Sequence, residues 1–326
     1  MITEETTVGA EADSLAFASM DADPDLATLL ASGERATFHG PPASAVANLE
    51  KAVGIAQRDG RRAEVAASAW LLGVALSASG RYGAALKVLV PLLEAGEGGD
   101  DEAPEIRLFA SLAAATAASV HRGLGRHAGA AELDSRGLAL TEGPGEAAFD
   151  CVLGLTADAV GAGDLDSARN WLAKSEAIID GHGGDWWRQR VRLNWARAEV
   201  ALLAENPQEA ITLASAAVDG AEAARAPRHV AKSLLFQGVA ELQAGSVDGV
   251  ATLRRAATLA EGLGAVPLVW QARALVGALL GGEESEEGAR SLAAARSAVL
   301  SMASDLPNDL REEWLARPNV SALLEG

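Results

Sequence analysis

The chain has 326 residues, with 45 Asp and Glu against 27 Lys and Arg, so its formal net charge is −18. This acidity argues against nucleic acid or an anionic membrane as a ligand of the whole surface. A single Cys, Cys151, excludes an internal disulfide, and aromatic residues at 4% favour closely packed helices over a β-sandwich. With no basic, apolar leader and no apolar run of about 20 residues, we expect a cytoplasmic protein.

The N-terminal segment is the first predicted element. Residues 1–25 contain seven carboxylates and no Lys or Arg. This composition predicts a flexible acidic tail over 1–23.

From residue 24 the chain alternates apolar stretches with short breaks that contain Gly, Pro or Asp. Apolar residues recur at spacings of three and four, which predicts helices. Between 66 and 96, Leu72 and Leu76 share one helix face, Gly80 ends that helix, and Leu89 and Leu93 line the next one. Two such helices form a hairpin that cannot bury its own apolar face.

This hairpin recurs along the chain. A small residue early in each second helix marks seven copies with a spacing of about 40 residues: Ala45, Ala85, Ala130, Ala168, Ala210, Val250 and Ala289. We expect these small residues, with Gly73 and Gly238 of first helices, to lie where two helices approach closely.

The second copy carries Leu72-Gly73, Leu76, the turn Gly80-Arg81-Tyr82, and Ala85 followed by Leu89. These residues resemble the tetratricopeptide repeat signature, although most closing prolines are missing and the spacing exceeds the usual period of about 34. The long-repeat form and the ending at 306–318 resemble sensor arrays of bacterial ATPase-type transcriptional regulators. The resemblance implies an all-α, right-handed solenoid of about seven hairpins over 24–304, with a capping helix and tail over 305–326.

No constellation in the sequence supports catalysis, a cofactor or a metal. The five His have no metal-ligand spacing, although a zinc site formed by His121, His127 and Cys151 is a minor alternative. The Gly-rich segments 123–129 and 180–185 follow no predicted strand, so they are interpreted as helix terminators. We therefore expect a protein that is not an enzyme.

A basic band stands out in this acidic chain. Arg188 and Arg192 occupy the same repeat positions as Arg228 and Lys232, and each pair is four residues apart on one helix face. Two interpretations remain open, because the preceding repeat has acidic residues at these positions. In the first, Arg188 and Arg192 form inter-repeat ion pairs with Glu146 and Asp150. In the second, the band binds an acidic ligand.

Repeat positions also suggest which side chains line the concave groove. A shift of one residue in the alignment would place the two Trp in the core instead. The candidate partner-binding residues are Trp70, Val74, Leu153, Arg192, Trp195, Arg228, Lys232, Leu235 and Val239.

The leading hypothesis is a non-enzymatic scaffold or adaptor whose groove binds a protein or peptide, with an acidic segment of that partner as the candidate contact for the basic band. The alternative is a regulatory sensor in which a peptide or small molecule binds the groove and controls a separate effector protein. A further hypothesis places the acidic tail in the groove, against a freely solvated tail as the simpler alternative. The partner and the oligomeric state are left open.

Overall fold

A computed structural model describes residues 24–98 and 103–325, and in these ranges the chain forms α-helices, one short 3-10 helix and no strand. The N-terminal segment for which an acidic tail is predicted lies outside the described residues. The helices are α1 (Pro24–His39), α2 (Ala43–Arg58), α3 (Arg62–Ala78), α4 (Tyr82–Gly96), α5 (Pro104–Gly123), α6 (His127–Ala139), α7 (Glu146–Gly161), α8 (Leu165–Asp180), α9 (Trp187–Leu203), α10 (Pro207–Ala223), α11 (Pro227–Gln243), α12 (Gly249–Leu263), α13 (Val266–Leu279), α14 (Glu286–Asp305), α15 (Asn308–Leu315) and α16 (Pro318–Glu325).

Consecutive helices pair into seven hairpins, from α1–α2 to α13–α14, as the repeat spacing predicts. The turn between α3 and α4 shows how the chain reverses. Gly80 has a φ of 81°, and the amide of Arg81 donates to the carbonyl of Leu76 over 2.9 Å. A residue in this left-handed conformation closes the helix end, and Gly adopts it without a steric cost.

Small residues let the two helices of each hairpin approach closely. Ala85, Ala130, Ala168 and Ala210 are fully buried, and a Cβ on Gly73 would overlap the side chain of Leu89. The prediction is therefore confirmed for these positions.

In the last two hairpins the register differs from the prediction by one residue. The buried small residues are Gly249 and Gly288, whereas Val250 and Ala289 are half-buried. A Cβ on Gly249 would come within 2.9 Å of the Gly238 carbonyl oxygen, so the helices are too close for a larger residue at this point.

The C-terminal part of the chain packs back against the second and third hairpins. The amide of Ala84 donates to Asp305 Oδ2 over 2.9 Å, and Arg317 donates to the carbonyl of Gly125 over 2.7 Å. Trp314, which is 2% exposed, belongs to the same hydrophobic cluster as residues of α1 to α6. The cap was expected to shield the last hairpin, but α15 and α16 also join that hairpin to the N-terminal half.

A second set of contacts closes the solenoid at the first hairpin. The His39 ring lies 5.5 Å from the Trp187 ring, and its Nδ1 lies 3.3 Å from the Arg225 carbonyl oxygen. The Arg188 guanidinium lies 5.4 Å from the centre of the Phe38 ring. These contacts make the concave side of the solenoid narrower than the open groove that the repeat resemblance implies.

No helix among the described residues is long and apolar enough to cross a lipid bilayer.

The helices alternate between two environments, with first helices facing the interior and second helices forming the outer layer.

Candidate functional site

One stripe of α11 contributes most of the interior site. Arg228, Lys232, Leu235 and Val239 follow one another at spacings of four, three and four, which puts them on one face of the helix. In α9 the equivalent face carries Arg188, Arg192, Trp195 and Glu199, 40 residues earlier. The two stripes lie side by side because first helices of neighbouring hairpins are in contact.

The cations of α9 are paired. Arg188 forms ion pairs with Glu146 and Asp150, and Arg192 forms one with Asp150. Gln189 also donates to Glu146 Oε1 over 2.7 Å. The inter-repeat ladder is thus present, and Arg192, a candidate partner-binding residue, has its charge neutralised within the protein.

The cations of α11 are not paired in this way. Among the ion pairs of the described residues none includes Arg228 or Lys232, and Arg228 Nε is buried without a hydrogen-bond partner. Burial and the neighbouring cations lower the pKa of Arg228 to about 10, and burial lowers that of Lys232 to about 8 although Glu199 acts to raise it. A desolvated cation without a partner is costly, so this pair is a strong candidate for anion recognition.

Aromatic side chains surround Lys232. Its Nζ lies 4.6 Å from the centre of the Trp195 ring and 5.7 Å from that of Phe236. Trp195 Nε1 donates to Ser233 Oγ over 2.7 Å, and the Trp195 ring stacks on His229 with ring centres 5.5 Å apart. Trp195 is 6% exposed, so it supports Lys232 from within the protein and has little surface for contact with a partner.

The position of Trp70 contradicts the prediction that its side chain lines the groove. It is 1% exposed, its Nε1 donates to Thr116 Oγ1 over 3.2 Å, and its ring packs 5.9 Å from that of Phe109. A side chain enclosed in this way cannot contact a partner, so Trp70 belongs to the core. Val74 is half-buried against the same core, and Leu153 is buried in a separate cluster with Phe149.

Arg228 and Lys232 open into a cavity of about 380 Å³, here called the cationic cavity. Other ionisable groups on its wall are Arg122, His127, Glu199 and Tyr82. Burial raises the pKa of Glu199.

Arg122 is already engaged by two buried carboxylates. Its Nη1 lies 2.5 Å from Asp134 Oδ2 and 2.9 Å from Asp158 Oδ2, and His127 Nδ1 lies 3.2 Å from Asp158 Oδ1. This network holds α5, α6 and α7 together and leaves Arg228 and Lys232 as the cations available to a ligand.

A second cavity of about 760 Å³, here called the apolar cavity, adjoins the first. Leu235 and Val239, both candidates from the sequence, line it together with residues of α9, α13, α14 and α16. The two cavities share Glu199, Leu235, Phe236 and Gln271. They therefore form one interior space with a cationic end and an apolar end.

Several of these residues were not identified from the sequence. Glu199 occupies the repeat position of Val239, and Gln271, Ala274 and Ala278 continue the same stripe on α13, so the repeat alignment contained a signal for them. Phe236 lies one residue from a named position. Asn319 and Leu323 come from the cap and carry no such signal, because no repeat pattern relates the cap to the interior.

No group of three or more His, Cys, Asp or Glu suited to a metal ion occurs within the described part of the chain. Cys151, of the zinc alternative, is buried with its Sγ 3.7 Å from Ser111 Oγ, and burial raises the pKa of this thiol.

Comparison with known proteins identifies the fold. No protein-family model matches the chain, and no curated protein matches it in sequence. A Rap protein complexed with competence and sporulation factor is similar in structure, with a TM-score of 0.56 at 11% identity, over 92% of this chain and 85% of that chain.

Two further solved structures are similar at lower scores. A signal transduction ATPase with numerous domains and a tetratricopeptide repeat sensor, from Pyrococcus horikoshii, has a TM-score of 0.48 at 12% identity, over 85% of this chain and 42% of that chain. Aspartyl phosphate phosphatase F from Bacillus subtilis has a TM-score of 0.47 at 11% identity, over 94% of this chain and 85% of that chain. The expected all-α, tetratricopeptide-like solenoid is confirmed.

Proposed function

We propose that this protein is a non-enzymatic sensor, whose interior binds an anionic group of a peptide or small molecule and whose ligand state controls a separate effector protein. The observation that carries the proposal is the pair Arg228 and Lys232, two desolvated cations that form no ion pair with any described residue and share the wall of one cavity with a single carboxyl group, that of Glu199. A cytoplasmic location remains part of this proposal.

Closure of the solenoid favours the sensor over the open scaffold. A partner helix laid along the groove needs a continuous open concave face, whereas contacts of α1 with α9 and α11, and of α14 with α4, interrupt that face. A ligand bound inside can change these closing contacts, and another protein can recognise the rearranged surface. The Rap protein, which has the same type of fold, was solved in complex with a factor, and this supports ligand binding as a role for such a fold.

The test is a thermal-shift and calorimetry screen with defined probes. One set contains pentapeptides with a free terminal carboxylate and the same peptides as amides, and the other contains small monocarboxylic acids and their amides. A true ligand at about 100 times its Kd should stabilise the protein by about 2.7 kcal/mol, which corresponds to a shift of several degrees. We expect carboxylates to be active and their amides to be inactive.

Charge-removing variants provide the specificity control. Arg228→Gln and Lys232→Gln should abolish the response, whereas Arg169→Gln, an exposed cation on the outer helix α8, should leave it unchanged. If no carboxylate binds, or if binding is equal in the Arg228→Gln and Lys232→Gln double variant, the proposal is wrong.

A further inference from the structure

The contiguous cavities carry information about the chemical class of the ligand, and the inference below rests on the proposed function. The cationic end and the apolar end meet at Phe236, whose ring lines both cavities and lies 5.7 Å from Lys232 Nζ. A ligand that satisfies both ends has an anionic head joined directly to an apolar body.

Charge balance indicates how much negative charge the head carries. Arg122 is engaged by Asp134 and Asp158, and the cations of α9 are engaged by acidic residues of α7. Arg228 and Lys232 then face one carboxyl group, that of Glu199, on the wall of the cationic cavity. A ligand with a single negative charge can pair with Arg228 and Lys232, whereas a second charge would find Arg122, Arg188 and Arg192 already engaged.

The lining of the apolar cavity indicates the nature of the body. Its walls are formed mainly by aliphatic and aromatic side chains, and its polar lining side chains are Glu199, Gln271 and Asn319. A peptide would bring an amide and a carbonyl with every residue, and each one left unpaired in this cavity is unfavourable. A hydrocarbon chain has no polar groups to satisfy, and a volume of about 760 Å³ is in the range of small-molecule sites.

We propose that the joined cavities bind a single-chain aliphatic monocarboxylate of the fatty-acid class, with its carboxylate between Arg228 and Lys232. Its hydrocarbon chain passes Phe236 and fills the apolar cavity against α13 and the cap helix α16. In this position the chain contacts the elements that close the solenoid, which links the ligand to the closing contacts.

The first experiment measures the affinity of the full chain for hexanoate, octanoate, decanoate and dodecanoate by calorimetry, below their micellar concentrations. Burial of each added methylene should increase affinity about fourfold, which corresponds to about 0.8 kcal/mol. The stoichiometry should be one ligand per chain, and the methyl ester of dodecanoate should bind at least tenfold more weakly because it lacks the charge. Affinity that does not depend on chain length overturns the inference.

Variants test the two ends separately. Arg228→Gln should weaken all four acids by a similar factor of about ten or more. Leu275→Asp should reduce the dependence on chain length, because Leu275 lines the apolar cavity and a hydrocarbon end packed there would desolvate the added carboxylate. Leu279→Asp is the matched control: Leu279 lies on the same helix, is 45% exposed against 36% for Leu275, and does not line the cavity.

The outcomes distinguish this inference from the proposed function. If acidic peptides bind in a manner that requires Arg228 and Lys232 while the alkanoates do not, the inference fails and the proposed function stands. If neither class binds in that manner, both fail. Alkanoate binding that persists in the double variant Arg228→Gln and Lys232→Gln, with several ligands per chain, is non-specific partitioning and also overturns the inference.

Discussion

Replacing Gly83 by Ala tests whether the solenoid is closed in solution, because the expected sign of the effect depends on closure. Gly83 lies in the first turn of α4, and in a linear array its replacement by Ala would stabilise the helix by up to about 1 kcal/mol. In the closed structure a Cβ at this position would overlap the main-chain carbonyl oxygen of Asp305, at the end of α14. The backbone cannot move aside as a flexible side chain can, so the two elements must separate.

The magnitude follows from the contacts that separate. Overlap with packed backbone costs typically about 1–3 kcal/mol. The hydrogen bond from the Ala84 amide to Asp305 Oδ2, at 2.9 Å, is also weakened, and such a bond contributes about 0.5–1.5 kcal/mol. After the gain in helix propensity is subtracted, we expect Gly83→Ala to lower the free energy of unfolding by about 1–3 kcal/mol.

Gly54→Ala is the matched control. Gly54 is exposed in the interior of α2, and a Cβ there would meet no atom within 4 Å, so this variant should be stabilised by about 0.5–1 kcal/mol. The assay is equilibrium unfolding in urea, combined with hydrogen exchange followed by mass spectrometry. Faster exchange at the end of α14 in Gly83→Ala alone would locate the effect at the closing contact, whereas equal stabilisation of both variants would refute closure.

Three further predictions concern charge and packing. Lys232→Met should stabilise the ligand-free protein by about 1–3 kcal/mol at pH 7, because a pKa lowered to about 8 means that the folded state disfavours the charge. In urea unfolding this gain in stability should disappear as the pH rises above about 10.4, the pKa of Lys in the unfolded chain. A destabilised variant would refute this prediction. Burial raises the pKa of Asp134 to about 7, so the folded state binds an extra proton between about pH 4 and 7. As the pH rises from about 4 to about 7, the free energy of unfolding of the wild type should therefore fall relative to that of Asp134→Asn, by up to about 1.4 kcal/mol per pH unit. A difference between the two proteins that does not change with pH would contradict the raised pKa. Ala210→Leu should cost about 1–3 kcal/mol because Ala210 is fully buried between α9 and α10, whereas Ala216→Leu, exposed on the same helix, should change the urea midpoint little.

The repeats were predictable because each hairpin is a local unit. Turn glycines such as Gly80 and small residues such as Ala85 recur at a fixed spacing, and helix pairing follows from that spacing alone. The unpaired cations could be identified for the same reason: Arg228 and Lys232 occupy the positions of Arg188 and Arg192, but the preceding repeat supplies no carboxylates for them.

Closure was not predictable from the repeat pattern. The contact between Ala84 and Asp305 joins residues 221 positions apart, and it depends on small rotations between hairpins that accumulate along the chain. Whether Trp70 lies in the groove or in the core could not be predicted for a different reason. A shift of one residue in the repeat alignment turns the assigned direction of a helical side chain by about 100°, from the groove to the core. Because closure joins separate repeats, the apolar cavity also depends on Asn319 and Leu323 of the cap.

Closure also changes how the protein should unfold. A linear array of hairpins contacts only its neighbours, so removal of its last hairpin should leave distant repeats unaffected and unfolding should proceed in several steps. Here α13 and α14 pack against the turn at Gly80, where a Cβ would lie 2.9 Å from Val266 and 3.0 Å from Met302. Truncation after residue 263 should therefore leave a folded but less stable remainder, and the amide hydrogens of its α3–α4 turn should exchange markedly faster. The full chain should unfold as one unit, with matching amide exchange in both halves at its urea midpoint. Unchanged exchange at this turn in the truncated protein, with faster exchange confined to α11 and α12, would show that stability passes only between neighbouring repeats.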